Sequence, residues 1–264
     1  MKSLFTMFLS IVFFAGLTFG VNAVHAGSSK KADHQDNQCV AAGPQSPRDI
    51  SVPDGQNSVQ FNSAPAYEKM NLCNVHFHRN AEHKAPNYSV FVEDGDHSGW
   101  ACKEPTSERL AEGSHVKYKG CEGIAEGDTI EVHWVYTTCD IETEGAKPLG
   151  GGLSACMTEL CSNPQLRVEA QVFLLSKDGA LKFNDLEPVN SHTNTVSYEG
   201  STTGTSYSNT NCSPYQVNWN VRTSCNTLDI DDFAQWCSDN KYNDHHAHGV
   251  RALVTSPELL SPIH

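Results

Sequence analysis

Residues 74–83 read NVHFHRNAEH and include two histidines, His76 and His78, that are separated by a single residue. In a β-strand, side chains two residues apart point to the same side, so His76 and His78 can direct two imidazoles at one point while Val75 and Phe77 pack behind them. Histidine is a common zinc ligand. The pair alone is weak evidence for a metal, because paired histidines on a strand are often ordinary surface residues.

Residues 131–136 form a second alternating run, EVHWVY, which supplies a third imidazole. Glu131, His133 and Val135 share one face of this predicted strand. Three imidazoles from two neighbouring strands predict a tetrahedral zinc with an open fourth position, which is typical of a catalytic zinc rather than a structural one. We expect one zinc per chain, because the other histidines lack matching strand partners.

Most of the predicted secondary-structure elements that could position these histidines are β-strands. Alternation and short apolar runs predict strands at residues 59–61, 72–78, 88–92, 129–137, 166–175 and 215–221. One short helix is predicted at residues 228–236 with Thr227 as its N-cap, and three consecutive glycines predict a loop at residues 147–154. No repeat or low-complexity linker divides residues 39–264, so we expect a single domain.

Residues 1–26 have the pattern of a signal peptide. Lys2 supplies the positive start, residues 4–19 are almost all apolar, and Val24-His25-Ala26 offers small residues for cleavage. A retained membrane anchor is the alternative, since the apolar run is only just long enough to span a bilayer. We expect a periplasmic or secreted protein without a membrane span after cleavage, and residues 27–38 as an exposed polar arm.

The charge of the chain restricts its partners. The formal net charge is −13, and loss of Lys2 with the signal peptide makes the mature form more acidic. This charge argues against nucleic acid or an anionic membrane surface as a partner. The sequence gives no oligomeric state.

All ten cysteines follow the predicted signal peptide. An even number of cysteines in an exported chain predicts disulfides before it predicts metal ligands. Up to five bridges are possible, and the spacing does not give their connectivity. Cys156 and Cys161 could bind zinc in principle, but an oxidising compartment favours a local disulfide between them.

Several separated stretches together resemble the carbonic anhydrases of the α class and the related δ class. The metal motif is similar in its order: His76-Phe77-His78, then Glu82-His83, then Glu131-Val132-His133-Trp134. Four further stretches are similar to other parts of the family pattern. Residues 45–50 resemble its Gln-Ser-Pro-Ile-Asp-Ile segment, and residues 172–174 resemble its central buried strand. Residues 198–203 resemble its Tyr-Pro-Gly-Ser-Leu-Thr-Thr loop, and Cys212 with residues 217–219 resembles the cysteine and strand that follow this loop. The resemblance covers most of residues 39–255.

The resemblance implies one mainly-β domain around a large twisted, mostly antiparallel sheet with short peripheral helices. It also implies reversible hydration of carbon dioxide to bicarbonate and a proton by a zinc-bound hydroxide, with His76, His78 and His133 as zinc ligands. Cys39 and Cys212 are implied as one disulfide pair.

The resemblance further implies supporting roles around the zinc. Glu131 would accept the spare N–H of a ligand imidazole and fix its orientation; a solvent-facing strand carboxylate is the alternative. Glu82 with Thr203, or Thr202, would form a gate that orients the hydroxide. We expect His83 to support Glu131 or the strand rather than bind metal.

The threonine loop departs from the family pattern. It has one residue fewer before its second threonine, lacks the following prolines, and contains an insertion at residues 205–211. Thr203 is the preferred gate residue, although ordinary turn chemistry beside Gly200 and Gly204 would also explain both threonines.

The proposed chemistry agrees with elementary physics. Zinc with three neutral ligands lowers the pKa of a bound water from about 15.7 to about 7, which favours the hydroxide by on the order of 12 kcal/mol. Carbon dioxide itself needs only an apolar pocket, for which Val135 is a candidate wall, although a strand valine is by default core. Two alternatives remain: a zinc esterase, and an exported zinc-binding protein of this type without turnover.

Hydration also releases a proton, which an imidazole with a pKa near the working pH can export. Where the family often has a shuttle histidine, this chain reads Asp54-Gly55-Gln56-Asn57, and glutamine does not titrate. Candidates elsewhere are His115, His192 and the cluster His245, His246 and His248. For that cluster, the simpler interpretation is an exposed polar loop without a role in proton transfer. Scavenging of metal ions by the histidines is a further alternative.

Overall fold

The computed structural model describes residues 39–113, 116–141, 156–158, 160–161, 164–186, 194–201 and 207–263. The predicted signal peptide and N-terminal arm, the predicted loop at 147–154, and the candidate gate residues Thr202 and Thr203 lie outside the described residues.

Nine strands, two short α-helices and several 3-10 turns are present in the described part of the chain. In chain order, the strands are β1 (Asn71–Arg79), β2 (Val90–Val92), β3 (Gly99–Ala101), β4 (Lys117–Tyr118), β5 (Cys121–Glu122), β6 (Thr129–Thr137), β7 (Leu166–Ser176), β8 (Thr195–Glu199) and β9 (Val217–Asp229). The helices are α1 (Ser107–Glu112) and α2 (Ile230–Ser238), and the 3-10 turns lie at Tyr67–Lys69, Gly95–His97, Phe183–Asp185 and Pro257–Leu259.

Five of these strands form the main sheet, in the order β1-β6-β7-β9-β8. Neighbouring strands are antiparallel except β7 and β9, which are parallel. The described residues form one compact unit around this sheet. The predicted mainly-β domain with a mostly antiparallel sheet and short helices is therefore confirmed. β7 is the middle strand, as the resemblance implied for residues 172–174.

The sheet separates two apolar layers, because apolar residues alternate with the predicted site residues along β1 and β6. On one face, Val75 and Phe77 join a buried cluster with Phe233 of α2. On the other face, Val135 joins a second buried cluster that includes Trp219 of β9. All nine residues of β6 are buried because both of its faces are covered. The candidate ligands therefore lie inside the protein.

The strand predictions at residues 59–61 and 88–92 need correction. The predicted strand at residues 59–61 is wrong: Val59 is 44% exposed, its N–H donates to the Asn57 side chain, and the segment has no strand partner within the described chain. β2 begins two residues later than predicted, because Tyr88 and Ala85 exchange main-chain hydrogen bonds across a turn. An extended segment that pairs with no neighbouring strand can have the same sequence pattern as a β-strand, so the sequence alone does not separate the two.

The predicted helix is present as α2, but its N-cap is not the predicted residue. β9 begins two residues later than predicted and continues through Asp229, so Thr227 and Leu228 belong to the strand. Asp229 caps α2: its Oδ1 accepts hydrogen bonds from the N–H groups of Asp231 (2.9 Å) and Asp232 (3.0 Å). A carboxylate at this position satisfies two free backbone donors and interacts favourably with the helix dipole.

All ten cysteines form disulfides, and the predicted local pair is wrong. Cys156 is fully buried and bonds Cys73 at the bulge of β1, whereas Cys161 bonds Cys139 beyond the end of β6. The other pairs are Cys39–Cys212, which the resemblance implied, Cys102–Cys225 and Cys121–Cys237. Five disulfides are consistent with an extracellular or periplasmic protein.

No helix in the described part of the chain is long and apolar enough to cross a membrane.

Candidate metal centre

The structure brings the three predicted ligands together. His76 of β1 is paired with His133 of β6 in the sheet register, and His78 lies two residues further along β1 on the same face. The ring centroids are 5.0 Å apart for His76 and His133, 4.8 Å for His78 and His133, and 5.2 Å for the two β1 residues. One nitrogen of each ring lies within 4.8 Å of the other two.

Hydrogen bonds select which nitrogen of each β1 imidazole is available. His76 Nδ1 donates to Asn74 Oδ1 at 2.6 Å, and His78 Nδ1 donates to the Gly249 carbonyl at 2.8 Å. Both rings therefore offer the lone pair of Nε2. His78 Nε2 is buried and has no hydrogen-bond partner among the described residues, so its lone pair is free to bind a metal.

His133 has a carboxylate beside its Nε2, 3.3 Å from Glu131 Oε1, although the contact is not aligned as a hydrogen bond. A proton on Nε2, facing this carboxylate, would leave the Nδ1 lone pair to bind a metal. Burial lowers the pKa of all three imidazoles, well below the usual range for His76 and to about 4 for His78. Histidine ligates metals in its neutral form, so three buried neutral imidazoles fit a zinc ion with three nitrogen ligands.

Glu131 is a fully buried carboxylate beside these ligands. Its Oε2 accepts hydrogen bonds from the N–H groups of Glu82 (2.6 Å) and His83 (3.2 Å), and its Oε1 accepts from His83 Nδ1 at 2.6 Å. Burial alone would raise its pKa, but the imidazoles of His83 and His133 hold the pKa well below the usual range. Glu131 is therefore a buried carboxylate in contact with two imidazoles, those of His83 and His133.

His83 has both ring nitrogens engaged. Nδ1 contacts Glu131, and Nε2 lies 2.7 Å from the Tyr198 hydroxyl, which is 2.6 Å from Ser46 Oγ. His83, Glu131 and His133 also lie close enough to one another to hold a metal. Both ring nitrogens of His83 have polar partners in this arrangement, and its role as a support for Glu131 stays a prediction.

Glu82 lies at the edge of the candidate metal site. Its Oε1 accepts a hydrogen bond from the Arg251 N–H at 3.0 Å, and its Oε2 lies 3.7 Å from His78 Nε2. Burial raises the pKa of this carboxyl group. One carboxyl oxygen thus faces the His78 imidazole, while its proposed threonine partners lie outside the described residues.

Val135 is fully buried on the same strand face as His133. It belongs to the apolar cluster that includes Trp219, whose ring centroid is 5.2 Å from that of His133. The role of Val135 as a wall for substrate stays a prediction.

Four residues that position the site were not singled out in the sequence: Asn74, Tyr198, Gly249 and Arg251. Asn74 carried a usable signal, because it lies two residues before His76 and so shares its strand face. Gly249 and Arg251 act through main-chain groups from 171 and 169 positions away along the chain, respectively. Nothing in a sequence marks a main-chain group for such a role.

A sheet with three converging imidazoles on one buried face defines a mainly-β protein with a candidate metal centre. Comparison with known families is more specific, because the family model of delta carbonic anhydrase matches residues 67–232, more than half of the 264-residue chain. The chain belongs to the delta carbonic anhydrase family. No curated protein and no solved structure gave a significant match. Family membership supports carbonic anhydrase activity at the level of the family, with carbon dioxide and bicarbonate as substrates.

Proposed function

We propose that this protein catalyses the reversible hydration of carbon dioxide to bicarbonate and a proton, with one zinc ion per chain. The observation that carries the proposal is the set of three imidazoles, His76, His78 and His133, whose candidate ligand nitrogens lie within 4.8 Å of one another. When bound there, zinc supplies a nucleophilic hydroxide at neutral pH.

The residues around the ligands fix the nitrogen that each ligand presents. Asn74 and the Gly249 carbonyl accept from the Nδ1–H groups of His76 and His78, so both rings keep Nε2 free. Glu131 faces Nε2 of His133 and so favours the tautomer with a free Nδ1. Carboxylate and carbonyl acceptors of this kind raise the basicity of ligand imidazoles.

We assign Glu82 and Thr203 to the orientation of the nucleophile, with Thr202 as the alternative. The support for Glu82 is its geometry: one oxygen accepts a hydrogen bond from the Arg251 N–H, and the other lies 3.7 Å from His78 Nε2. That second oxygen is available to accept a hydroxyl proton, which would leave the hydroxyl oxygen free to accept a hydrogen bond from the nucleophile.

The location that we propose is periplasmic or secreted, after cleavage of residues 1–26. Five disulfides support it, because disulfides persist in oxidising compartments. Substrate is a small molecule that reaches the apolar side of the site, with Val135 as part of its wall.

Stopped-flow measurement of carbon dioxide hydration on purified protein with quantified zinc tests the proposal. We expect hydration by the wild type, and loss of both stoichiometric zinc and activity when His76 and His133 are both changed to Ala. His245→Ala is the matched control, because its Nδ1 lies 2.6 Å from the Cys237 carbonyl, away from the candidate ligands.

Three outcomes would overturn the proposal. Full zinc retention in the double variant, measured by elemental analysis, would exclude these ligands. Zinc-loaded wild type that hydrolyses small esters but does not hydrate carbon dioxide would indicate an esterase. Zinc-loaded wild type with neither activity would indicate a zinc-binding protein without turnover.

A further inference from the structure

The pairing of β1 with β6 contains a β-bulge at Cys73. Leu72 is paired with Tyr136, and Asn74 is paired with the next residue of β6, Val135. Cys73 is therefore one extra residue on β1, and its Sγ lies 3.0 Å from the Val135 carbonyl oxygen. In a bulge of this kind, two residues of one strand oppose a single residue of the other. Cys73 and Asn74 together oppose Val135.

One extra residue changes which face of the sheet the following side chains occupy. Side chains alternate between the two faces, so a register shift of one residue moves every later side chain to the opposite face. Beyond the bulge, His76 is paired with His133 and shares the face of the candidate metal centre. If β1 continued from Leu72 without the bulge, Val75 would take the place opposite His133. The imidazoles of His76 and His78 would then point into the apolar layer on the other face.

The chain on both sides of the bulge is fixed. Before it, Asn71 Nδ2 donates to the Cys139 carbonyl at 2.7 Å, just beyond the end of β6. After it, the Asn74 side chain accepts from His76 Nδ1 at 2.6 Å, and the pairing with β6 is regular over the rest of β1. The extra residue must therefore be accommodated at Cys73.

A disulfide holds this bulge residue in place. Cys73 is bonded to Cys156, which is fully buried. Both cysteines pack in the apolar cluster that contains Val135, on the face of the candidate metal centre. The bond joins residues 83 positions apart, so it ties the bulge to a part of the chain outside the β1–β6 pairing.

A second bulge in the main sheet provides a comparison. In the β7–β9 pairing, Ala170 is paired with Val221. The next pair is Val172 with Cys225, so β9 advances four residues while β7 advances two. Two extra residues keep the alternation, and Val221 and Cys225 accordingly pack in the same apolar cluster. Cys225 is bonded to Cys102. Both register shifts among the described strands of the main sheet thus adjoin a disulfide, but the one in β1 alone changes the face.

We propose that the disulfide between Cys73 and Cys156 is a positioning element of the candidate metal centre. By holding the extra residue of β1 at the bulge, it keeps Asn74 beside His76 and keeps the β1 imidazoles on the face of His133. The two cysteines act through the backbone of β1 rather than as ligands, because their sulfur atoms are bonded to each other. The inference rests on the zinc site of the proposed function, and it concerns metal affinity rather than the chemical step.

The test compares two double variants that each lose one disulfide at a bulge. Cys73→Ala with Cys156→Ala removes the proposed positioning bond, and Cys102→Ala with Cys225→Ala removes its counterpart on β9. The bonds span 83 and 123 residues, and the effect of a cross-link on the entropy of the unfolded chain grows only with the logarithm of this length. Urea unfolding of the metal-free proteins should therefore show similar losses of stability in the two variants.

Metal affinity should separate the two variants. In competition with a chromogenic chelator, the variant without the Cys73–Cys156 bond should bind zinc about 10- to 100-fold less tightly than wild type, the range for loss of a partner that orients a ligand imidazole. The variant without the Cys102–Cys225 bond should keep wild-type affinity. The visible spectrum of the cobalt-loaded protein depends on the ligands and their geometry, so it should change in the first variant and match wild type in the second.

Wild-type zinc affinity in the variant without the Cys73–Cys156 bond would overturn the inference. Equal losses of affinity in the two variants would do so as well, and so would weaker binding with an unchanged cobalt spectrum. If the alanine variant does not fold, Cys73→Val with Cys156→Ala takes its place, because valine favours strands and refills the space of the lost sulfur. Failure of both replacements to fold, beside a folded control, would show that the bond supports the whole fold and would also overturn the inference.

The inference and the proposed function fail in different ways. Wild type that binds stoichiometric zinc but does not hydrate carbon dioxide overturns the proposed function and leaves the inference open to the same comparison of affinities. Wild type that does not bind zinc overturns both. An active wild type, with unchanged zinc affinity after loss of the Cys73–Cys156 bond, overturns the inference alone.

Discussion

Replacement of Glu131 by Gln should weaken metal binding while keeping the local backbone structure. In the wild type, one carboxylate oxygen accepts from two backbone N–H groups, and the other faces His83 Nδ1 at 2.6 Å and His133 Nε2 at 3.3 Å. An amide can keep the first set of bonds through its oxygen. Its NH₂ group then meets two N–H groups, which cannot accept a hydrogen bond.

The expected magnitude follows from these contacts. In the variant, His133 loses the acceptor that favours a proton on Nε2. The other neutral tautomer then becomes more populated, and it carries the proton on Nδ1. A protonated Nδ1 has no lone pair for the metal. Loss of such a supporting partner costs about 10- to 100-fold in metal affinity, or about 1.4 to 2.8 kcal/mol. The unpaired N–H of His83 should lower the free energy of unfolding by about 1 to 3 kcal/mol.

The assay is competition for zinc with a chromogenic chelator, combined with urea unfolding of the metal-free protein. Glu169→Gln is the matched control: Glu169 is also a fully buried strand carboxylate, on the neighbouring strand β7, and bonds Asn220 rather than a histidine. Wild-type zinc affinity in Glu131→Gln would refute the reasoning. Equal losses in both variants would show a general effect of replacing a buried carboxyl group by an amide.

Three further predictions concern pH, the gate and the disulfides. Burial raises the pKa of Glu169 from its ordinary 4.5 to about 7, so the free energy of unfolding should fall as pH rises through this window. The Glu169→Gln variant lacks this ionisable group, so its free energy of unfolding should not fall in this way. Urea titrations should show the difference in free energy of unfolding, variant minus wild type, rising by about 3 kcal/mol between about pH 4 and 8. A difference that does not change with pH would contradict this prediction. Thr203→Ala should keep its zinc but lower the hydration rate by about 10- to 1,000-fold, and a loss in Thr202→Ala alone would place the gate one residue earlier. Reductant should lower the melting temperature more than chelator, since each disulfide contributes about 2 to 4 kcal/mol; the opposite order would make the metal the main stabiliser.

The sequence was most informative where strand periodicity and chemistry coincide. Alternation along residues 72–78 and 129–137 predicted which side chains share a face, and the register then placed His76 opposite His133. This worked because the period of two is a local property of the backbone. Asn74 lies two residues before His76, so the same periodicity would have predicted that it shares the face of His76 and could be its hydrogen-bond partner.

Features set by tertiary contacts could not be predicted in this way. Cys156 and Cys161 are close in sequence but lie against different strands, so each bonds a partner that only the folded sheet brings near. Thr227 resembles an N-cap, but continued pairing of β9 with β7 keeps it in the strand, and Asp229 becomes the cap. In both cases a long-range contact determines the local outcome.

The Gly249 carbonyl that orients His78 has a consequence for the order of events during folding. These two residues are 171 positions apart, so His78 cannot be held in its ligand orientation until nearly the whole chain is available. Contacts of such long range form slowly, because the entropy of closing the intervening chain must be overcome first. We therefore expect the candidate ligands to reach their final arrangement late in folding, so a partly synthesised chain presents imidazoles that do not yet form the candidate metal centre.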